Sequence, residues 1–135
     1  MIHRSRTVFL LLFLSFILIS SAVPARARLT TIETDEAYEL IQKHSGNADF
    51  IILDVRTPGE FAEGHIEKAL NKDFYADTFR NALDGLDRNK TYLVYCRSGS
   101  RSRSALGVMK ELGFRNVYNM AGGFLKWQRK YPVVR

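Results

Sequence analysis

Hydrophobic and polar positions divide the chain into a leader and a patterned body. From Val8 to Ile19 the residues are apolar apart from Ser15, and small residues follow. Beyond Leu29 the apolar residues fall into short segments of alternating period. Thr34 can cap a helix reaching about Lys43, with Asp35 and Glu36 in its first turn and Ala37, Leu40 and Ile41 on one face. Ser45-Gly46-Asn47 stops it. Asp49–Val55 is a continuous apolar run bounded by aspartates, the pattern of a strand buried on both faces of a parallel sheet. Thr57-Pro58-Gly59-Glu60 opens a short helix with proline near its first position.

Further on, the pattern predicts a brief strand at Ala69–Asn71, a helix at Thr78–Leu86 and a strand at Thr91–Tyr95. A helix at Ser102–Leu112 ended by Gly113, a strand at Val117–Met120 and a helix at Gly123–Lys130 complete it. Strands alternating with helices predict a single α/β domain, a mostly parallel central sheet flanked by helices. No repeat, linker or low-complexity tract interrupts it.

The leader has the order of a secretory signal peptide: Arg4 and Arg6, the apolar run, then Ala25-Arg26-Ala27 as an A-x-A cleavage pattern, with Val23-Pro24-Ala25 overlapping it. The expected organisation is a signal peptide over residues 1–27 and a folded domain over residues 28–135, placed in the periplasm or otherwise exported. The alternative is an uncleaved membrane anchor. The 16 residues from Val8 to Val23 fall short of the roughly 20 that a spanning helix needs. Against that, Arg26 and Arg28 weaken the charge asymmetry that orients a signal. Only the anchor would bring a membrane into the account.

At 135 residues there is room for one core, and 46% hydrophobic with 25% charged residues excludes a disordered chain. The net charge of +6 would favour nucleic acid, but residues 1–27 hold Arg4, Arg6 and Arg26 and no acid, so the body carries +3. No nucleic-acid partner is expected. What basicity remains clusters at Arg97, Arg101 and Arg103, around the one cysteine of the chain, Cys96. That cluster is an anion site or a solvated helix start.

A lone cysteine has no disulfide partner within the chain, so Cys96 serves packing or chemistry. It ends a predicted buried strand, and Arg97, Ser98, Gly99, Ser100 and Arg101 form a tight loop before the next helix. Gly99 permits the turn, and successive N–H groups in such a loop can point inward as a nest. N–H dipoles and nearby guanidinium groups favour thiolate over thiol. The same surroundings suit an oxyanion such as thiosulfate and the extra sulfur of a persulfide.

At these residues the chain resembles the rhodanese family, the single-domain sulfurtransferases, over about Leu29 to Tyr131. Cys96 to Arg101 fits the family's loop of a cysteine, four residues and then arginine or threonine. Leu53-Asp54-Val55-Arg56-Thr57-Pro58-Gly59-Glu60-Phe61 with Gly64-His65-Ile66 is similar to its first signature, and Gly122-Gly123-Phe124-Leu125-Lys126-Trp127 to its closing segment. With an exported address, the likeness is to the small periplasmic, phage-shock-type rhodaneses of bacteria. One position departs: Lys68 stands where the family carries a turn glycine.

The resemblance implies a thiosulfate sulfurtransferase in which Cys96 accepts sulfane sulfur as a persulfide. Residues 97–101 would form the cradle, with Arg97 and Arg101 charging it for a small anionic donor. A thiol, cyanide or a protein would be the acceptor. Asp54 and Arg56 would support the loop structurally, His65 would be structural rather than a general base, and Trp127 would pack the last helix. No cofactor and no metal are implied. Two alternatives remain. A cysteine phosphatase or arsenate reductase on this fold needs a loop one residue longer, with arginine where Ser102 stands. A non-catalytic binding module commonly lacks the cysteine.

Overall fold

Three buried strands form the centre of one sheet, and the site lies where their connections diverge. The computed structural model describes residues 26–135, so all but the last two residues of the expected signal peptide lie outside the described residues. The elements are β1 (Arg28–Ile32), α1 (Thr34–Lys43), β2 (Phe50–Asp54), α2 (Pro58–Glu63), β3 (Leu70–Asn71), α3 (Phe79–Asp84), β4 (Thr91–Tyr95), α4 (Ser100–Glu111), β5 (Asn116–Met120) and α5 (Gly123–Trp127). The sheet order is β1-β5-β4-β2-β3, and every neighbouring pair is parallel. No helix among the described residues is long and apolar enough to cross a membrane.

Side chains alternate between two cores. Leu53, Val55, Val94, Cys96 and Val117 meet α3 and α4 through Phe79, Leu83, Ala105 and Met109. Ile52, Leu93, Tyr95 and Met120 meet α1 and α5 through Ala37, Phe124 and Trp127. This two-sided burial is why β2 and β4 read as unbroken apolar runs. From β2 the chain moves outward to β3, whereas from β4 it moves the other way to β5. The crevice between the carboxyl ends of β2 and β4 is therefore the topological switch point, where α/β sheets hold their ligands. Asp54 and Cys96 stand on its two sides.

The pattern missed β1, whose sequence Arg-Leu-Thr-Thr-Ile is mostly exposed and gains its pairing only from β5. Several element ends differ from expectation. The residue capping α1 is Glu33, whose N–H donates to Glu36 Oε2 at 3.1 Å; the Thr34 hydroxyl instead reaches the Ala121 carbonyl at 2.9 Å. Helix α3 stops at Asp84, where the Gly85 N–H returns to the Asn81 carbonyl. Helix α5 stops at Trp127, whose buried indole N–H is committed to the Pro132 carbonyl at 2.9 Å. Helix α4 begins at Ser100 rather than Ser102, because Gly99, at φ 102°, turns the chain at once. The loop after Cys96 is thus residues 97–99, and Arg101 belongs to the helix.

Lys68, the departure noted above, keeps the backbone that a glycine would take. It has φ 65° and is the one non-glycine residue at positive φ among the described residues. The left-handed region costs a side-chain-bearing residue roughly 1–2 kcal/mol, partly offset because glycine loses more backbone freedom on folding. Lys68 is exposed and makes no side-chain hydrogen bond to another described residue. Lys68→Gly should therefore raise stability by about 0.5–1 kcal/mol. Urea unfolding should show this as a higher midpoint with an unchanged slope.

Candidate active site

Cys96 follows β4 directly and is 1% exposed. Its carbonyl accepts from the Phe124 N–H at 2.8 Å, and the Arg97 carbonyl accepts from the Leu125 N–H at 3.0 Å. Both donors lie in the first turn of α5, where a helix leaves its N–H groups without internal partners. The contact is close. A Cβ on Gly123 would lie 2.5 Å from both carbonyl oxygens, so only glycine lets α5 approach the loop.

With its carbonyls held by α5, the loop is free to turn its amides towards the sulfur. The Gly99 N–H donates to Cys96 Sγ at 3.1 Å, and the buried Ser102 hydroxyl lies 3.4 Å from the same atom. Burial pushes the thiol pKa up. The Ser102 hydroxyl, with the amides of Ser102, Gly99 and Ser98, outweighs it and holds the thiol below its ordinary value. These donors are fixed dipoles, and no guanidinium hydrogen-bonds the sulfur among the described residues. The arrangement can hold a negative sulfur in a place nearly closed to water.

The residues expected at the site divide into three groups. Cys96, Ser98 and Gly99 form the cradle, with Ser102 added. Arg97, Ser100 and Arg103 are exposed on the rim. Arg101, expected to offer its charge to a donor, is instead clamped: its Nη1 and Nη2 donate to Glu60 Oε2 and Oε1, both at 2.8 Å. Its guanidinium also lies over Tyr75, 5.2 Å from the ring centre. Arg101 foremost, by donating these bonds, lowers the Glu60 carboxyl to about 2. Sequence reading missed Glu60 and Ser102 as parts of the site. Glu60 read as a helix-start acid and Ser102 as the residue where a phosphatase would carry arginine.

Asp54 and Arg56 are brought together beneath the loop. Asp54 Oδ2 accepts from Arg56 Nη2 at 2.7 Å and Oδ1 accepts from the Arg56 backbone N–H at 2.9 Å; both residues are buried. Arg56 also donates to the Gly64 carbonyl at 2.6 Å and lies over the Phe124 ring at 4.0 Å. Beside them, burial and the Asp54 carboxylate push the Tyr95 phenol up, so it stays protonated while accepting from the Ile66 N–H at 3.1 Å. Asp54 gives both oxygens to Arg56, and Arg56 divides Nε and Nη2 between Asp54 and the Gly64 carbonyl, so the pair holds structure. His65 is likewise occupied: Nδ1 lies 2.9 Å from the Phe61 carbonyl and its ring stacks on Phe61. Among the described residues no cluster of His, Cys, Asp and Glu could hold a metal ion.

Comparison with known proteins agrees with this geometry. A profile of the rhodanese-like domain family matches residues 33–130. The chain is 37% identical to the thiosulfate sulfurtransferase GlpE of Pseudomonas putida over 104 residues, covering 76% of this chain and 87% of that protein. It is 31% identical to a sulfurtransferase of Allochromatium vinosum over 100 residues, covering 73% and 92%. Among solved structures, a rhodanese-related protein from Thermoplasma volcanium superposes with a TM-score of 0.64 at 32% identity, covering 81% of this chain and 97% of that one.

Among the described residues the Ser102 hydroxyl is the one side-chain donor to the sulfur, and removing it should raise the thiol pKa. A hydrogen bond to a charged group contributes about 1.5–3 kcal/mol. Ser102→Ala should therefore alkylate about tenfold more slowly with iodoacetamide at neutral pH. The alkylation pH profile should move to higher pH while circular dichroism stays unchanged.

Proposed function

The chain belongs to the rhodanese-like domain family, and from that premise we propose that it is a thiosulfate sulfurtransferase that carries sulfane sulfur on Cys96. The observation that carries this reading is the buried Sγ, met by the Gly99 N–H and the Ser102 hydroxyl, with no His, Asp or Glu hydrogen-bonded to it among the described residues. Sulfur transfer needs a stabilised thiolate and then a stabilised persulfide, and it needs no proton shuttle. The Cys96 thiolate attacks the outer sulfur of thiosulfate. The new S–S bond forms as the old one breaks, and sulfite leaves with the electron pair. A nucleophilic acceptor (cyanide, a thiol or a protein thiol) then takes that sulfur and restores the thiolate. With one cysteine in the chain, no internal disulfide can discharge it.

Roles follow from position. Ser98, Gly99 and Ser102 supply the cradle for charge on sulfur, Arg97 offers an exposed cation to an anionic donor, and Asp54 with Arg56 holds the loop from below. Ser100 lies on the exposed rim, and Arg101 acts together with Glu60. The near-complete burial of Cys96 favours slim donors. Phosphatase chemistry lacks its arginine: the position holds Ser102, and the preceding arginine is turned to Glu60.

The leader supports an exported protein of the periplasmic, phage-shock kind. Arg28 is the first residue of β1, so cleavage after Ala27 removes nothing that the sheet uses. Protein recovered from the periplasm should begin at or near Arg28 or Arg26 by intact-mass analysis; full-length protein in the membrane fraction would point to the anchor instead.

Thiosulfate should add the mass of one sulfur atom to fully reduced protein, cyanide should remove it, and initial rates should give parallel reciprocal plots. Cys96→Ser should abolish both loading and turnover. The reading fails if reduced protein gains no mass and Cys96 instead turns over p-nitrophenyl phosphate.

A further inference from the structure

Three arginines surround the thiol in sequence, but in the fold one of them is neutralised. Arg101 gives both terminal nitrogens to Glu60 in a two-pronged pair at 2.8 Å, with the two side chains 14% and 28% exposed. Glu60 is itself immobilised. Its Oε2 also accepts from the Thr57 N–H and hydroxyl at 3.1 Å, while its own N–H returns to Thr57 Oγ1, closing the capping box of α2. Tyr75 covers the guanidinium face. Such a carboxylate cannot swing away when a donor arrives, and the fork of Arg101 is not open to grip an anion.

We propose that Glu60 is a specificity-determining positioning residue that offsets the Arg101 charge beside Cys96, so that the site attracts anions only weakly. The consequence for sulfur transfer is a balance. Donor and leaving group are both anions, and an uncompensated Arg101 would hold sulfite and bystanders such as sulfate as readily as thiosulfate. The paired Arg101 leaves Arg97 and Arg103, both exposed, as the arginines free to meet the donor. The inference rests on the sulfur-transfer reading for its purpose, but the charge it describes can be measured without sulfur transfer.

Iodoacetate and iodoacetamide are alike in size and differ by one charge, so the ratio of their alkylation rates at Cys96 reports the local field and not access. Glu60→Gln keeps the capping shape and removes the charge; the iodoacetate-to-iodoacetamide ratio should rise about threefold. Arg101→Gln, which leaves Glu60 unopposed, should lower the ratio below that of the unaltered protein. Glu60→Gln added to Arg101→Gln should return it towards the original value. This double variant is read against Arg101→Gln and relieves an unpaired carboxylate, so it decides the matter even where Glu60→Gln alone folds poorly. In turnover, Glu60→Gln should lower the thiosulfate KM and strengthen sulfate inhibition. An unchanged or lowered ratio in Glu60→Gln, or no recovery in the double variant, overturns the inference. A raised ratio in Glu60→Gln, in a protein that accepts no sulfur from thiosulfate, would uphold it and sink the sulfur-transfer reading instead.

Discussion

The site depends on two hydrogen bonds that do not touch the sulfur. The first turn of α5 gives the N–H groups of Phe124 and Leu125 to the carbonyls of Cys96 and Arg97. A loop whose carbonyls are held outward can present its amides inward, and at Sγ the Ser102 hydroxyl together with those amides outweighs the burial that pushes the thiol pKa up. The contact fits only because Gly123 has no side chain. Helix α5, five residues long, thus shapes a loop more than twenty residues before it in the chain.

A second device fixes α5 where it is needed. The Arg56 guanidinium is held by Asp54 and the Gly64 carbonyl, and its face carries the Phe124 ring at 4.0 Å. Phe124 is the residue whose N–H reaches the Cys96 carbonyl. The first signature, the cysteine loop and the closing segment, far apart in the sequence, are therefore one assembly around the switch point. Removing one partner of a buried ion pair commonly costs about 3–5 kcal/mol, so damage at Asp54 or Arg56 would reach the sulfur through packing and not through lost chemistry.

Much of this was legible in the sequence. Two-sided burial gave β2 and β4 unbroken apolar runs, and the cysteine beyond β4 marked the ligand end of the sheet. Threonine, proline and glutamate at 57–60 announced the start of α2. The illegible parts have a common cause, because each depends on a partner distant in the chain. Strand β1 is polar and forms only against β5. Ser102 reads as a helix start and becomes a donor because α4 begins two residues early. Arg101 reads as a free cation until the fold sets it on Glu60, 41 positions away. Local pattern carried the elements; the charge state of the site was set by tertiary pairing.

The central claim, that fixed backbone amides hold a negative sulfur in a buried place, is tested most directly by following the backbone amide resonances of the reduced protein through a pH titration. The Gly99 amide should move most as the thiol ionises, with a midpoint below the ordinary cysteine value of about 8.5. A Gly99 resonance that stays still, or a midpoint at or above the ordinary value, would contradict the account.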